Sequence, residues 1–332
     1  MEKKKVVHIA QSPGGVAQYL YMLLKNMDRT KYENILICSY DYKKEIERFE
    51  NITDKIYFVD MVREIELKKD IKAVFELRKI IKSEKPDTVY MHSSKAGAVG
   101  RIALLFNKKI NKVYNAHGWY FNAEIGKKKK MLFTIIEKVL AYNTNMIVNI
   151  SDSEYKSALE KKIAKPKKMC VIDNGIDFKE FDGIEDSRYK IRNMYNINDN
   201  EVLIGVVGRV SEQKDPITFI KAAKIINEKY KNVRFMFVGS GNLENEVREY
   251  AKENNFIDKV IITGWVDNAK EYISAFDIAV LPSKWEGFGL ASIEYMACKK
   301  PIVATRVGRN CGYFEFRRFS RINRKRKCRI FV

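Results

Sequence analysis

Short β-branched, apolar runs alternate along this chain with longer stretches in which apolar positions recur every three or four residues. The first pattern predicts buried strands and the second amphipathic helices; their alternation is the mark of parallel sheets with helical crossovers. Strands are predicted at 6–10, 35–39, 56–59, 88–91, 113–116 and 146–150. Helices are predicted at 16–27, 67–82, 96–106 and 131–141, the first with Val16, Leu20, Leu23 and Leu24 on one face. A polar, charged stretch from Lys179 to Asn200 breaks the rhythm and reads as a linker. The pattern then restarts, with strands at 202–207, 233–238, 259–262, 278–281 and 301–304 and helices at 216–227 and 243–254.

The expectation is an α/β fold of two Rossmann-like domains whose parallel sheets face a cleft. The domains are residues 1–178 and 201–308, joined by 179–200. A length of 332 residues suits two domains of ordinary size. Beyond Gly308 the pattern fails: residues 309–332 carry nine Lys/Arg and one Glu, with no glycine after Gly312 and no strand-turn-helix rhythm. This segment reads as an atypical basic tail, either a nucleic-acid arm or, preferred, the product of a frameshift or truncation that leaves the second domain incomplete.

Charge adds one thing to this picture. A formal net charge of +20 implies attraction to polyanions: nucleic acid, anionic lipid head groups or a phosphorylated substrate. The five cysteines are scattered without a Cys-x-x-Cys pair or a histidine cluster, which argues against a disulfide framework or zinc site and fits a reducing compartment. The apolar run after Lys3-Lys4-Lys5 is too short for a signal peptide, and nowhere do about 18 apolar residues follow one another. A cytoplasmic protein is expected.

Candidate chemistry concentrates after the strand predicted at 278–281. Trp285-Glu286-Gly287-Phe288-Gly289-Leu290 leads into a helix carrying Glu294, eight residues beyond Glu286. A carboxylate, glycine N–H groups and a helix N-terminus then meet at the carboxyl end of a parallel strand, where open α/β sheets bind ligands and helix N-termini favour phosphate. Gly208-Arg209-Val210-Ser211-Glu212-Gln213-Lys214-Asp215 ends another strand with two cations five residues apart. A guanidinium fork and a mobile ammonium suit phosphate oxygens, although a solvated basic loop has the same composition.

Together with Val238-Gly239-Ser240-Gly241-Asn242-Leu243, Gly264-Trp265-Val266, Asn174-Gly175-Ile176-Asp177, Gly14-Gly15 and His117-Gly118, these motifs resemble the retaining family 4 glycosyltransferases of GT-B fold. The likeness spans residues 6–308, and His92-Ser93-Ser94-Lys95-Ala96-Gly97 is similar to bacterial members that build capsular, O-antigen or exopolysaccharide units. Family members usually continue well past the strand near Pro301–Ala304.

The resemblance implies a sugar transfer with retention from a UDP- or GDP-sugar to a glycan or polyprenyl-linked acceptor. It implies no cofactor, and no Asp-x-Asp motif at a strand end asks for a metal. Arg209 and Lys214 would neutralise the departing diphosphate, where electrostatic stabilisation acts. Glu286 would accept hydrogen bonds from the sugar's hydroxyls and Glu294 from the ribose. Gly287, Phe288, Gly289 and Leu290 would offer backbone N–H groups, Trp265 and Val266 backbone contacts to the base, and Gly208 and Gly239 close turns lining the donor. Gly14 and Gly15 would approach the β-phosphate or acceptor, and His117 the transferred sugar or acceptor. His8, inside a strand, reads as structural, and His92 stays open between core and cleft. No residue stands out as a nucleophile, so same-face attack is expected.

The lysine-rich stretch 127–140 reads as a crossover helix with a basic cap, or as a surface for anionic membrane at the inner face of the cell membrane. Two rivals remain: an inactive truncated remnant that at most binds nucleotide-sugar, and a basic nucleic-acid-binding protein. The second lacks a helix-turn-helix, zinc or aromatic RNP motif, so no specific nucleic acid is expected as partner.

Overall fold

The computed structural model describes residues 2–11, 13–307, 321–322 and 328–331. The chain divides into two compact units after Asn174. In the first, strands β1 (Lys4–Ala10), β2 (Tyr32–Cys38) and β3 (Lys55–Phe58) are joined through helices α1 (Gly15–Asn26) and α2 (Glu47–Glu50). Helices α3 (Leu67–Glu84), α4 (Ser94–Ala103), α5 (Lys127–Tyr142) and α6 (Asp152–Glu160) alternate with β4 (Thr88–His92), β5 (Asn111–Asn115), β6 (Met146–Asn149) and β7 (Met169–Val171). The sheet order is β3-β2-β1-β4-β5-β6-β7. Every pairing is parallel, with Val6 against both Asn34 and Thr88.

The elements form where the periodicity put them because the central strands bury both faces. Val7 and Ile9 of β1 pack with α3 and α4, while Ala10 and the β2 residues Leu36 and Cys38 pack against Leu20 and Leu24 of α1. Strand β7 went unpredicted: at three residues it is too short to show a period. Ser151 opens α6 by accepting from Glu154 N–H at 3.3 Å, a local cap that sets the entry of the helix.

The second unit begins with α7 (Ser187–Met194) and β8 (Val202–Val207). It continues through α8 (Pro216–Lys229), β9 (Val233–Val238), α9 (Glu244–Glu253), β10 (Val260–Ile262), α10 (Ala269–Ala275), β11 (Ile278–Leu281), α11 (Leu290–Ala297) and β12 (Ile302–Thr305). Two short strands follow, β13 (Arg321–Ile322) and β14 (Cys328–Phe331). The order is β10-β9-β8-β11-β12-β14-β13, parallel through the first five strands. One face packs Leu203, Met236 and Ala279 under α7, α10 and α11; the other packs Val206 and Phe237 under α8 and α9.

Residues 179–200 differ from the linker the sequence suggests. Ile184, Ile191 and Ile197 are buried in the second unit's core. Arg192, 2% exposed, donates to the carbonyls of Ala275, Asn198 and Glu201 and to the Asp277 carboxylate. The Arg192 charge is satisfied by backbone carbonyls and the half-buried Asp277 carboxylate, which composition does not reveal.

Most of the basic tail lies outside the described residues. Its described part extends the sheet: β14 runs antiparallel to β12, with Val303 opposite Ile330, and β13 runs antiparallel to β14. Antiparallel neighbours need no helical crossover, so the missing rhythm did not exclude strands.

Candidate active site

In each sheet, strand order reverses beside the first strand, between β1 and β4 and between β8 and β11. Such a switch point opens a crevice at the carboxyl ends of the strands. In the second unit it is bordered by the loops 208–215 and 282–289. Lys214 lies in a short 3-10 turn, Glu212–Lys214, whose following Asp215 caps α8 by accepting from Thr218 N–H at 3.3 Å. Lys214 Nζ is 2.5 Å from Glu286 Oε1, which also accepts from Ser283 Oγ at 2.7 Å. The carboxylate side chain is 7% exposed and the ammonium 19%, so the pair is largely withdrawn from water. Two hydrogen bonds tie the loops together: Lys284 N–H donates to the Gln213 carbonyl at 2.9 Å, and the Gln213 side-chain Nε2 to the Trp285 carbonyl at 3.2 Å.

Gly208 and Gly239 end β8 and β9 in contact. Gly239 has φ of +136°, and a Cβ there would stand 2.3 Å from the Gly208 carbonyl oxygen. No other residue fits so close a backbone approach. Gly239 also bridges Gly264, which precedes an exposed Trp265 and a half-buried Val266 that packs on the core. Arg209, exposed, follows Gly208.

Gly289 opens α11 with φ of +80°, where the chain turns from the buried Phe288 into the helix. Half-buried Gly287 precedes them, and Leu290 is the helix's first residue. One turn on, burial pushes the Glu294 carboxyl up, against the opposing charges of Lys214 and Lys270. Its neighbour Tyr295 is fully buried; its hydroxyl accepts from Val207 N–H at 2.7 Å and donates to the Val280 carbonyl at 3.3 Å. One phenol therefore fixes α11 against the ends of both strands that flank the switch point.

In the first unit the corresponding edge holds His117, in a left-handed backbone conformation at φ +53° just beyond β5, with its N–H donated to Asn115 Oδ1 at 2.9 Å. Gly14 and Gly15 lie at the start of α1, where Gly14's carbonyl accepts from Gln18 N–H at 2.9 Å. The Tyr19 ring of α1 meets His117 edge-on at 4.6 Å between centroids. Among the described residues no group of three or more His, Cys, Asp or Glu is placed to hold a metal ion.

A family model described as Glycosyltransferase Family 4 matches residues 13–180, just over half of the chain. The chain belongs to glycosyltransferase family 4. A second model, Glycosyl transferases group 1, matches residues 187–316 of this family 4 enzyme. It is 29% identical over 318 residues to an Escherichia coli protein named UDP-Gal:alpha-D-GlcNAc-diphosphoundecaprenol alpha-1,3-galactosyltransferase, covering 93% of this chain and 81% of that one. It is 28% identical over 319 residues to the Staphylococcus aureus capsular polysaccharide biosynthesis glycosyltransferase CapM, covering 92% and 80%. In fold it is similar to Anabaena Alr3699/HepE, solved in complex with UDP and glucose, at a TM-score of 0.78 and 18% identity over 94% of this chain and 83% of that one. The fold is thus the GT-B type, and the family 4 chain is a glycosyltransferase.

Within the second unit, the residues brought into mutual contact are Gly208, Lys214 and Glu286, with Gly239 against Gly208 and Gly264 against Gly239. Three positions escaped the sequence reading. Ser283 and Gln213 are unremarkable loop residues, and Tyr295 reads as an ordinary core aromatic. Long-range partners reveal two of them, 72 positions away for Gln213 and Trp285 and 88 for Tyr295 and Val207, whereas Ser283 meets Glu286 only three positions on, through the turn between them.

Proposed function

We propose that this family 4 glycosyltransferase transfers a sugar, with retention, from a UDP-sugar to a lipid-linked or growing glycan acceptor. The observation that carries the reading is the Lys214–Glu286 pair beside the switch point, an ammonium and a carboxylate withdrawn from water and held by two loops tied to each other. A nucleoside diphosphate entering there draws Lys214 onto phosphate oxygens, with Arg209 as a second cation. Glu286 is then released to accept from sugar hydroxyls while Ser283 still holds it. Lys214 and Arg209 stabilise the charge that grows on the leaving diphosphate as the glycosidic bond breaks. Glu294 accepts from the ribose hydroxyls, N–H groups of Gly287, Phe288, Gly289 and Leu290 and backbone at Trp265 and Val266 complete the donor site, and Gly208 and Gly239 leave room for it. Gly14, Gly15 and His117 meet the sugar, phosphate or acceptor. Same-face attack, with the departing phosphate taking the acceptor's proton, gives retention without an enzyme nucleophile. Uridine is favoured by the UDP-Gal in the Escherichia coli relative's name.

An acceptor on a polyprenyl carrier, as in that relative's name, requires approach to a lipid surface. Helix α5 supports this: Met131, Leu132, Ile135 and Val139 are exposed, beside Lys127, Lys130 and Lys138. A groove of 380 Å³ runs along it, lined by those lysines, Met131, Ile135 and Lys161. Among the described residues no helix is long and apolar enough to cross a membrane.

Heat-unfolding with UDP, GDP and their sugars tests the donor site. UDP and UDP-sugars are expected to raise the unfolding temperature, an effect lost in Arg209→Ala. A shift with GDP alone would move the base assignment to guanine, and indifference to every nucleotide would overturn the reading.

A further inference from the structure

The chain's three histidines are all in the first unit, and they stand in a row. His8 lies within β1, His92 ends β4 and His117 follows β5, across the switch point of that sheet. His8 Nδ1 is 3.4 Å from His92 Nε2, and His92 Nδ1 is 3.1 Å from His117 Nε2. The His8 and His92 ring planes lie within 16° of each other with centroids 5.6 Å apart, so the two rings meet edge to edge. Tyr19 and Tyr90, hydroxyl to hydroxyl at 3.0 Å, pack against the row, with the Tyr90 ring 4.1 Å from that of His92.

Both contacts join an Nδ1 to an Nε2, so they run in the same sense. A neutral imidazole has one N–H and one lone pair, and the middle ring must donate at one end and accept at the other. Only two complete arrangements exist: protons on every Nδ1, or on every Nε2. In the second, His8 Nε2–H points into the core, where that nitrogen has no hydrogen-bond partner. Asn34, on the same face of the sheet, is near enough to oppose part of the effect of burial on His8, but neither of its amide atoms comes within hydrogen-bond geometry of that nitrogen. A buried N–H without an acceptor is the costlier orphan. The first arrangement leaves only a lone pair there, and directs the last N–H outward from His117, whose Nδ1 is bonded to no described residue.

We propose that His8, His92 and His117 form a neutral, one-way hydrogen-bond ladder with a proton on Nδ1 of each ring, so that His117 presents Nδ1–H as a donor to an oxygen of the bound ligand. His8 and His92 are positioning residues: they touch no substrate, and they fix which nitrogen of His117 carries the proton. Burial keeps all three rings neutral, as the count of arrangements requires. His117 then cannot act as a base through Nδ1. It supplies a fixed donor to a lone pair on a sugar hydroxyl or a phosphate oxygen. The ligand half of this proposal rests on the reading of His117 given under the proposed function; the ladder itself does not.

Nitrogen-15 NMR of the full chain labelled at histidine tests it, because three imidazoles give an assignable spectrum and long-range couplings identify the protonated nitrogen. At neutral pH all three rings are expected to be protonated at Nδ1 and bare at Nε2. A protonated Nε2 on His92 or His117, or an imidazolium at any of the three, overturns the ladder. Adding UDP and then UDP-glucose addresses the ligand. A shift of the His117 Nδ1–H resonance with UDP identifies a phosphate oxygen, and a shift only with UDP-glucose a sugar hydroxyl. An unmoved resonance while either compound raises the unfolding temperature overturns the donor role of His117. No rise with either compound defeats the UDP-sugar reading instead, and the ladder is still decided by the tautomers.

Discussion

At the scale of single residues, Glu286 and Lys214 show how much one ion pair asks of its surroundings. Both side chains are mostly withdrawn from water, which makes their separation costly unless a ligand replaces the lost partner. Glu286→Gln keeps the shape and the Ser283 hydrogen bond, so the fold is expected to survive. Donor-sugar hydrolysis by the variant is expected to fall by ~10²-fold or more, the usual cost of removing a charged contact made in the transition state. Unchanged hydrolysis would remove Glu286 from the site. Both residues were legible in the sequence because charged side chains after strand ends have a place waiting for them in a parallel sheet. Tyr295 was not, since nothing in a lone tyrosine announces a partner that folding brings from elsewhere, and Ser283 was not because only the turn of the loop sets its hydroxyl on the nearby Glu286.

Among the elements, α11 is positioned by Tyr295 rather than by a side-chain cap, of which it has none. Tyr295→Phe leaves Val207 N–H buried without its acceptor, a loss of ~1–3 kcal/mol. The expected result is a lower unfolding temperature together with weaker nucleotide binding, because α11 carries Glu294; a silent variant would show that the phenol does not hold the helix. Helix α5 poses the opposite question, with apolar side chains facing out between lysines. Liposomes containing anionic lipid are expected to sediment the protein, and neutral ones to leave it in the supernatant. Met131→Ser with Ile135→Ser should weaken that binding by ~10²-fold or more, since each apolar side chain buried in lipid contributes ~1.5–3 kcal/mol. Equal sedimentation with neutral lipid would argue against the basic helix as the contact.

On the scale of the whole molecule, the histidine row makes the first unit sensitive to acid. Burial lowers His8 to about 4 and His117 to about 3, and holds His92 well below the ordinary 6.5. The unfolded chain therefore binds these protons first as pH falls. The stability tied to neutral rings is complete above about pH 6.5 and drains away as pH drops towards 4, by up to ~1.4 kcal/mol per pH unit for each ring. Urea midpoints at about pH 7.5 and 5, read from the buried Trp119 with Trp265 and Trp285 changed to phenylalanine, check this. Equal midpoints would mean that the rings are solvated in the folded state.

What the sequence determined by itself was the class of fold, the succession of strands and helices, and the loops on which charged chemistry would lie. Those features are local: a period of two or 3.6 along the chain and a glycine or charge at a strand end are written in adjacent residues. Tertiary structure decided the rest. Residues 179–200 became core because Arg192 met carbonyls in the same unit, and 328–331 became a strand because β12 offered it an open edge. The three histidines, 84 and 25 positions apart, became a row only when β1, β4 and β5 were set side by side. A contact between distant positions leaves no periodic trace, so a single sequence does not display it until the sheet has closed the distance.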